Sequence, residues 1–445
     1  MKIMKPILPV ILIGCVLFAA CSNEQTREIP QPSGRQYLNV AVAIPETGLS
    51  GTKTVDEDDV QTIDIFMFNQ SDKKFATVTH YDRINLTGPT DGYKGKIWRG
   101  EPAGTTAGEK YIVAGVNLSA SMVEKMKTLI CDPAQLALFQ HTIAELTENG
   151  MVMFSSTAEP RKADQFYDTK EEAEAPGAYV YTIDVDRSVA KMAVFKGRNM
   201  EITGGGKFLD LNFGWANVNN SIAYVPKITV NGSVETPAYD WASITKYSPE
   251  AIIPLYETTD PATTPTVFAY AQENRYPYTT GTSMDKLTYL RITGKYIPSH
   301  FSYLNTDHIA QDVNPANTPA TFYALETTDS KFYYFNDLAK AQAVLTAAGT
   351  GSVPSFKTNV GTNGIRTYTG GVCHFDALIN NAPSDETKHN IVRNTYYRIT
   401  INSIKAPGLP GSGTNPNPGP GNGEQWLGFS INVKDWTDVI EGIEI

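Results

Sequence analysis

Cysteine is scarce here. Only four occur among 445 residues, and two of them, Cys15 and Cys21, fall in the first apolar segment. The other two, Cys131 and Cys373, cannot make a disulfide framework, so the fold must rest on its apolar core. Basic stripes are missing too. The chain carries 37 Lys and Arg against 47 Asp and Glu, a net charge of −10, which argues against nucleic acid as a partner. After the leader, no apolar run approaches the roughly 18 residues that suggest a membrane-spanning helix. Enzyme motifs are also lacking: there is no HExxH, GxSxG, Walker A or GxGxxG element. "GGGKF" (204–208) has neither the loop length nor the Ser/Thr of a phosphate cradle and is expected to be a hairpin turn. Cys373 and His374 are adjacent, so on a strand they face opposite ways and cannot serve each other as nucleophile and base. His80, His141, His300, His308 and His389 lack metal-ligand spacing. "DEDD" (56–59) lacks the Gly and distal Glu of a calcium loop and is expected to be a solvated acidic loop. No catalytic residue, metal or cofactor is therefore expected.

What is present is β-rich. Tyr (23) and Phe (18) are abundant among many Thr, Val and Ile, with frequent Gly and Pro, the mixture of a mainly β exported protein. The export signal is explicit. Met1 to Cys21 reads "MKIMKPILPVILIGCVLFAAC": Lys2 and Lys5, a short apolar core, then Ala19 and Ala20 before Cys21. The ending "LFAAC" resembles a bacterial lipobox, in which Cys21 becomes the lipidated first residue; a plain signal peptide cut at a nearby Ala is the alternative. Several acyl chains on one Cys would anchor firmly. A polar tether, "SNEQTREIPQPSGR", follows.

The first strand is read from "QYLNVAVAI". Leu38, Val40, Val42 and Ile44 fall on one face, and Tyr37, Asn39, Ala41 and Ala43 on the other, the period of a half-buried strand. A Pro/Gly/Ser loop comes next, and Lys53 within it is the sole basic residue between Arg35 and Lys73. Further strands are expected in "VQTIDIFMFN", "EKYIVAGVN", "GMVMFSS" and "GAYVYTIDVDRSVAKMAVF", with helices in "SASMVEKMKTLI" and "DPAQLALFQHTIAEL" and an acidic loop at "DTKEEAEAPG". The pattern restarts near Pro226, where a domain boundary is expected. The second half adds strands in "TPTVFAYAQEN" and "KLTYLRITGKYI" and a short helix in "NDLAKAQAVLTAAG" (336–349). A Gly/Pro/Asn stretch (406–424) is expected to be a flexible connector. Beyond it Leu427, Phe429, Ile431 and Val433 share the face of one last strand. The two terminal strands have similar period and apolar content. Either could fill one groove; from the pattern alone, the plainer reading is that each belongs to its own domain.

Together these stretches resemble the FimA/Mfa-type fimbrillins, subunits of the type V pili of Gram-negative Bacteroidetes. The resemblance spans nearly the whole chain. It rests on the leader, the alternating strand, the loop with a basic residue, "VQTIDIFMFN", "DRSVAKMAVF", "FGWANVNNS", "GGVCHFDALIN" and the terminal "INVKDW". Its most specific part is "VRNTYYRITINSI" followed by Gly/Pro and Trp. The resemblance implies two Greek-key-like β-sandwich domains with a few short helices: an N-terminal domain over 54–226 and a C-terminal one over 227–425. It implies a lipoprotein leader (1–21), a propeptide holding the first strand (22–53) and a donor segment (426–445). A trypsin-like surface protease would cut between Lys53 and Thr54; Lys53 stands where the family usually has Arg. The first strand would leave, and the terminal strand of another copy would enter, giving a head-to-tail homopolymer. The implied place is a cell-surface fimbrium, its precursor held to the outer membrane by lipid, with tip and anchor subunits as further partners. A tip or anchor subunit, or a surface glycan-binding lipoprotein with exposed aromatic platforms, are the competing readings.

Overall fold

The computed structural model describes residues 34–45, 57, 59–92, 95–132, 140–141, 145, 150–156, 161–223, 228–230, 233–235, 246–247, 253–257, 268–278, 282–312, 317–380, 388–413 and 427–435. Strands dominate, and the helices are short. Apolar residues in alternation and in short continuous runs explain this: the chain repeatedly offers strands to bury and few 3–4 spacings to make helices.

The N-terminal half forms a ten-stranded arrangement. Its main path runs Phe75–Asp82, Thr62–Asn69, Lys110–Val116, Met153–Ser155, Val180–Arg187, Arg35–Ile44, Lys96–Arg99, Thr87–Asp91. Arg161–Ala163 and Ala103–Thr106 join from the side. The apolar residues of Thr62–Asn69 are buried on both faces, Ile63 and Ile65 together with Phe66 and Phe68. They share one core with Val40, Val42, Ile112, Val116, Phe154, Ile183 and Val185.

The C-terminal half packs two sheets. One holds Ala269–Gln272, Val189–Ile202, Thr395–Ile404 and Leu427–Asp435; the other holds Ile253–Pro254, Lys207–Ala216, Tyr289–Ile297, Val372–Ala377 and Leu409–Pro410. Met192, Val194, Tyr397 and Ile399 from the first share a core with Phe213, Trp215, Ile292 and Phe375 from the second. Trp215 stands edge-on to Tyr397 at 5.6 Å and donates its indole N–H to the Ala269 carbonyl at 3.0 Å, which satisfies the polar tip of a buried ring. A satellite sheet (Phe322–Glu326, Phe332–Phe335, Ile365–Tyr368) carries the helix Leu338–Thr346.

Several expectations change. The changeover between the two main cores falls at Val189–Ala190, ahead of the restart near Pro226, because Val189–Ile202 and Lys207–Ala216 find their partners in the C-terminal half. "GGGKF" is not a hairpin turn: the strands on either side lie in different sheets, and Gly204 and Gly205, both at positive φ, carry the chain between them. In "DPAQLALFQHTIAEL", Gln140–His141 is a short strand paired with Ile222–Ala223 rather than helix; most of that stretch lies outside the described residues. The acidic loop contains the helix Lys170–Glu174, capped by Thr169, whose hydroxyl accepts from the Glu172 N–H while the Glu172 carboxylate returns to the Thr169 N–H. The helix Ala120–Lys127 is as expected and starts on Ser119. Residues 406–413, expected as flexible connector, are docked: Leu409–Pro410 pairs with Cys373 and His374, and the Tyr368 hydroxyl donates to the Gly408 carbonyl at 2.7 Å.

Candidate strand-exchange groove

The first strand, Arg35–Ile44, has a ladder on each side. Asn39 to Ala43 run parallel to Val180–Asp184, and Ala41 to Ile44 run antiparallel to Arg99–Lys96. Its start pairs with Ala103–Thr106, and Tyr37 exchanges both backbone bonds with Tyr167 at 2.8 and 2.9 Å. The apolar face is buried as its spacing requires: Leu38, Val40, Val42 and Ile44 lie in the N-terminal core. The other face is buried as well, against the half-buried expectation: Asn39, Ala41 and Ala43 are all inside. Small side chains there let other elements close over the strand. The helix Lys170–Glu174 does so at one point, where Asn39 Nδ2 donates to the Ala173 carbonyl. At the far end Gly95, at φ +147°, passes where a Cβ would lie 2.1 Å from the Ile44 carbonyl oxygen. No side chain fits between the two backbones.

A strand so enclosed would leave a slot with two open hydrogen-bonding edges and an apolar floor. The four large apolar side chains alone contribute on the order of 6–12 kcal/mol by area. The slot ends at a polar hub that sequence reasoning missed. Glu57, taken as part of a solvated acidic loop, is fully buried. Its carboxylate pairs with Lys191 Nζ at 2.5 Å, itself fully buried, and accepts from the Tyr270 hydroxyl at 2.7 Å. Lys191 Nζ also lies 4.4 Å from the centre of the Phe268 ring. Burial first, and then the Glu57 charge, push the Tyr270 phenol well upward. Arg187, also fully buried, donates to the Pro45 carbonyl at 2.7 Å and to the Glu57 carbonyl at 3.3 Å. One guanidinium thus holds both stems of the loop that contains Lys53. No local signal could reveal this, since Lys191 lies 134 positions beyond Glu57.

The terminal strand, Leu427–Asp435, is not loose. It runs antiparallel to Thr395–Ile404, with Ile431 opposite Ile399 and Val433 opposite Tyr397. Among the described residues it is the edge of its sheet, with a single ladder. The first and terminal strands therefore sit in different sheets and are not brought together. Phe429 and Leu427 are registered with Ile401 and Ile404. Cys21, Lys53 and Thr54 lie outside the described residues. Cys131 and Cys373 are free and buried, and burial pushes each thiol up to about 12. Among the described residues no group of His, Cys, Asp and Glu could hold a metal ion.

Residues 366–441 match the family described as the major fimbrial subunit protein type IV, fimbrillin, C-terminal. The C-terminal part of this chain is thus similar to the fimbrillins. The match takes in Thr395–Ile404 and the terminal strand beside it. Among solved structures, a fimbrillin (FimA) from Porphyromonas gingivalis is 13% identical, with TM-score 0.44, over 89% of this chain and 96% of its own. The tip fimbrial protein Mfa3 from the same species, truncated at its C-terminus, is 12% identical with TM-score 0.41, over 90% and 100%. A protein from Parabacteroides distasonis assigned to cell adhesion is 13% identical with TM-score 0.45, over 90% and 99%. A search of the curated proteins found no match.

Proposed function

We propose that this protein is a fimbrillin, a structural subunit of a cell-surface fimbrium that supports adhesion. It is exported as a precursor lipidated at Cys21 and is cut between Lys53 and Thr54. The first strand then leaves, and residues 427–435 of another copy take its place. The observation that carries this reading is the first strand itself. It is enclosed on both edges and both faces, yet the loop after it bears one isolated basic residue. Cutting at Arg27 or Arg35 would remove the lipid but leave the strand in its slot. The terminal strand has a reason to move: among the described residues it has one ladder, and in the slot it would have two. Each added hydrogen bond contributes about 0.5–1.5 kcal/mol net. The role is structural rather than catalytic.

Electron microscopy of antibody-labelled surface filaments, with N-terminal sequencing of shed material, tests this. Filaments whose subunits begin at Thr54, and their loss in a Lys53→Ala strain, are the expected results. Subunits beginning at Gln36 would overturn the mechanism, because the first strand would still be in place.

A further inference from the structure

Between Leu38 and Ile44 the first strand has one polar residue, Asn39. It is buried, and its Nδ2 donates to the Ala173 carbonyl. Ala173 is itself fully buried and lies in the last turn of the helix Lys170–Glu174. A carbonyl in that turn finds no donor within its own helix. The covered side of the slot therefore has one polar place, that of Asn39, and two small apolar ones, those of Ala41 and Ala43.

On the strand-exchange reading, which is presupposed here, a donated strand fills this slot, and the floor restricts how. Leu427, Phe429, Ile431 and Val433 can take the four places of Leu38, Val40, Val42 and Ile44 in either direction. A slip of two residues keeps them on the same face. It also carries Gln425 or Asp435 into the place of Leu38 or Ile44, and both places lie inside the core. A polar or charged side chain buried there without a partner is strongly disfavoured. Each direction therefore has one register.

The covered side tells the two directions apart. Residues 38–44 read "LNVAVAI" and residues 427–433 read "LGFSINV". In the direction of the departed strand, Gly428 takes the place of Asn39, and the Ala173 carbonyl loses its donor. Asn432 then brings an amide to where Ala43 has a methyl group. In the opposite direction Asn432 takes the place of Asn39, Ser430 that of Ala41 and Gly428 that of Ala43. An amide meets the carbonyl, and small residues meet the small places. We propose that the strand donated by a second copy enters reversed relative to the one it replaces, and that Asn432 fixes this direction by donating to the Ala173 carbonyl. The donated strand then runs antiparallel to Val180–Asp184, to which the first strand runs parallel. Leaving a buried carbonyl without a donor costs more than a hydrogen bond gains, so one amide can choose between directions that the apolar face leaves equal.

The test uses the full chain cut at Lys53 with trypsin and a fluorescent synthetic peptide covering residues 425–438, read by anisotropy. The cut wild-type chain should capture the native peptide, and the uncut chain should not. Asn432→Ala in the peptide should weaken capture roughly fivefold or more. The exchanged peptide, Gly428→Asn with Asn432→Gly, should be weakened as much, although it would restore the amide to a strand lying in the original direction. Disulfide capture reads direction separately. Tyr37 pairs with Tyr167, and the chain's own Cys131 and Cys373 are buried. A cut Tyr167→Cys chain should therefore link to a Lys434→Cys peptide and not to a Trp426→Cys peptide. Linkage to Trp426→Cys instead, or capture of the exchanged peptide as tight as that of the native one, would overturn the direction while strand exchange stood. Failure of the cut wild type to capture any peptide would overturn both. Should Tyr167→Cys not fold, the peptide series against wild type decides: undiminished capture of the Asn432→Ala and exchanged peptides overturns the proposal.

Discussion

Lys191 and Glu57 show what a buried ion pair requires. Each is fully buried, and their contact is 2.5 Å. Removing one partner leaves an uncompensated charge, at a cost of about 3–5 kcal/mol. Lys191→Ala should therefore lower the urea midpoint sharply, and the pair Lys191→Met with Glu57→Gln should recover most of the loss. If Lys191→Ala leaves the midpoint unchanged, Glu57 is not held as described. His80 and Asp64 make a second, pH-dependent pair, 2.7 Å apart across neighbouring strands. Burial raises the Asp64 carboxyl, and the His80 bond and charge only partly offset it. Partial burial lowers His80, but the Asp64 hydrogen bond and charge outweigh it, and its balance is upward. Both folded values lie above the unfolded ones. Each therefore contributes stability that is complete below its unfolded value, 3.8 for Asp64 and 6.5 for His80, and is lost as pH rises through its folded value. The melting temperature should fall as pH rises from about 6.5 through the raised folded value of His80, and His80→Gln should flatten that slope. A wild-type melt that rises over the same range would contradict the pairing.

At the scale of the element, the two terminal strands differ in their surroundings more than in their sequences. Among the described residues, Arg35–Ile44 has neighbours on both edges, whereas Leu427–Asp435 has one. Its register along Thr395–Ile404 shifts between Ile401 and Ser403, a local irregularity in the only ladder that holds it among the described residues. An acidic side chain on its apolar face would have to be buried without a partner in the slot, which costs several kcal/mol. Ile431→Asp should therefore give a folded chain, cut at Lys53, that forms no boiling-resistant ladder on a denaturing gel. Circular dichroism separates lost assembly from lost folding. A ladder formed as in the wild type would show that another surface drives assembly.

The whole molecule has two principal cores, with the chain crossing between them at Val189–Ala190. The first strand belongs to the N-terminal core alone. Its loss removes on the order of 6–12 kcal/mol of apolar burial from that core and none from the other. A cut but unassembled chain should show a low calorimetric transition for the N-terminal half beside a higher one for the C-terminal half. Excess terminal-strand peptide should raise the lower transition only. Equal movement of both would mean that the cores do not melt separately.

Legible in the sequence were features set by neighbours along the chain. Alternation placed the first strand and its core face, because side chains on a strand repeat every two residues whatever lies beside them. Ser119 marked the start of its helix, because a cap acts within one turn. Tertiary structure alone decided the rest. Burial of Asn39, Ala41 and Ala43 depends on elements such as the helix Lys170–Glu174, more than a hundred residues away in sequence. The changeover at Val189 depends on which strands pair, and Val189–Ile202 pairs with Thr395–Ile404. Glu57 reads as a surface acid because its four-residue neighbourhood is acidic. It is a buried anchor because Lys191, Tyr270 and Arg187 converge on it from distant strands. A charge buried with its partners is stable only where folding brings those partners together, and no spacing along the chain encodes that convergence.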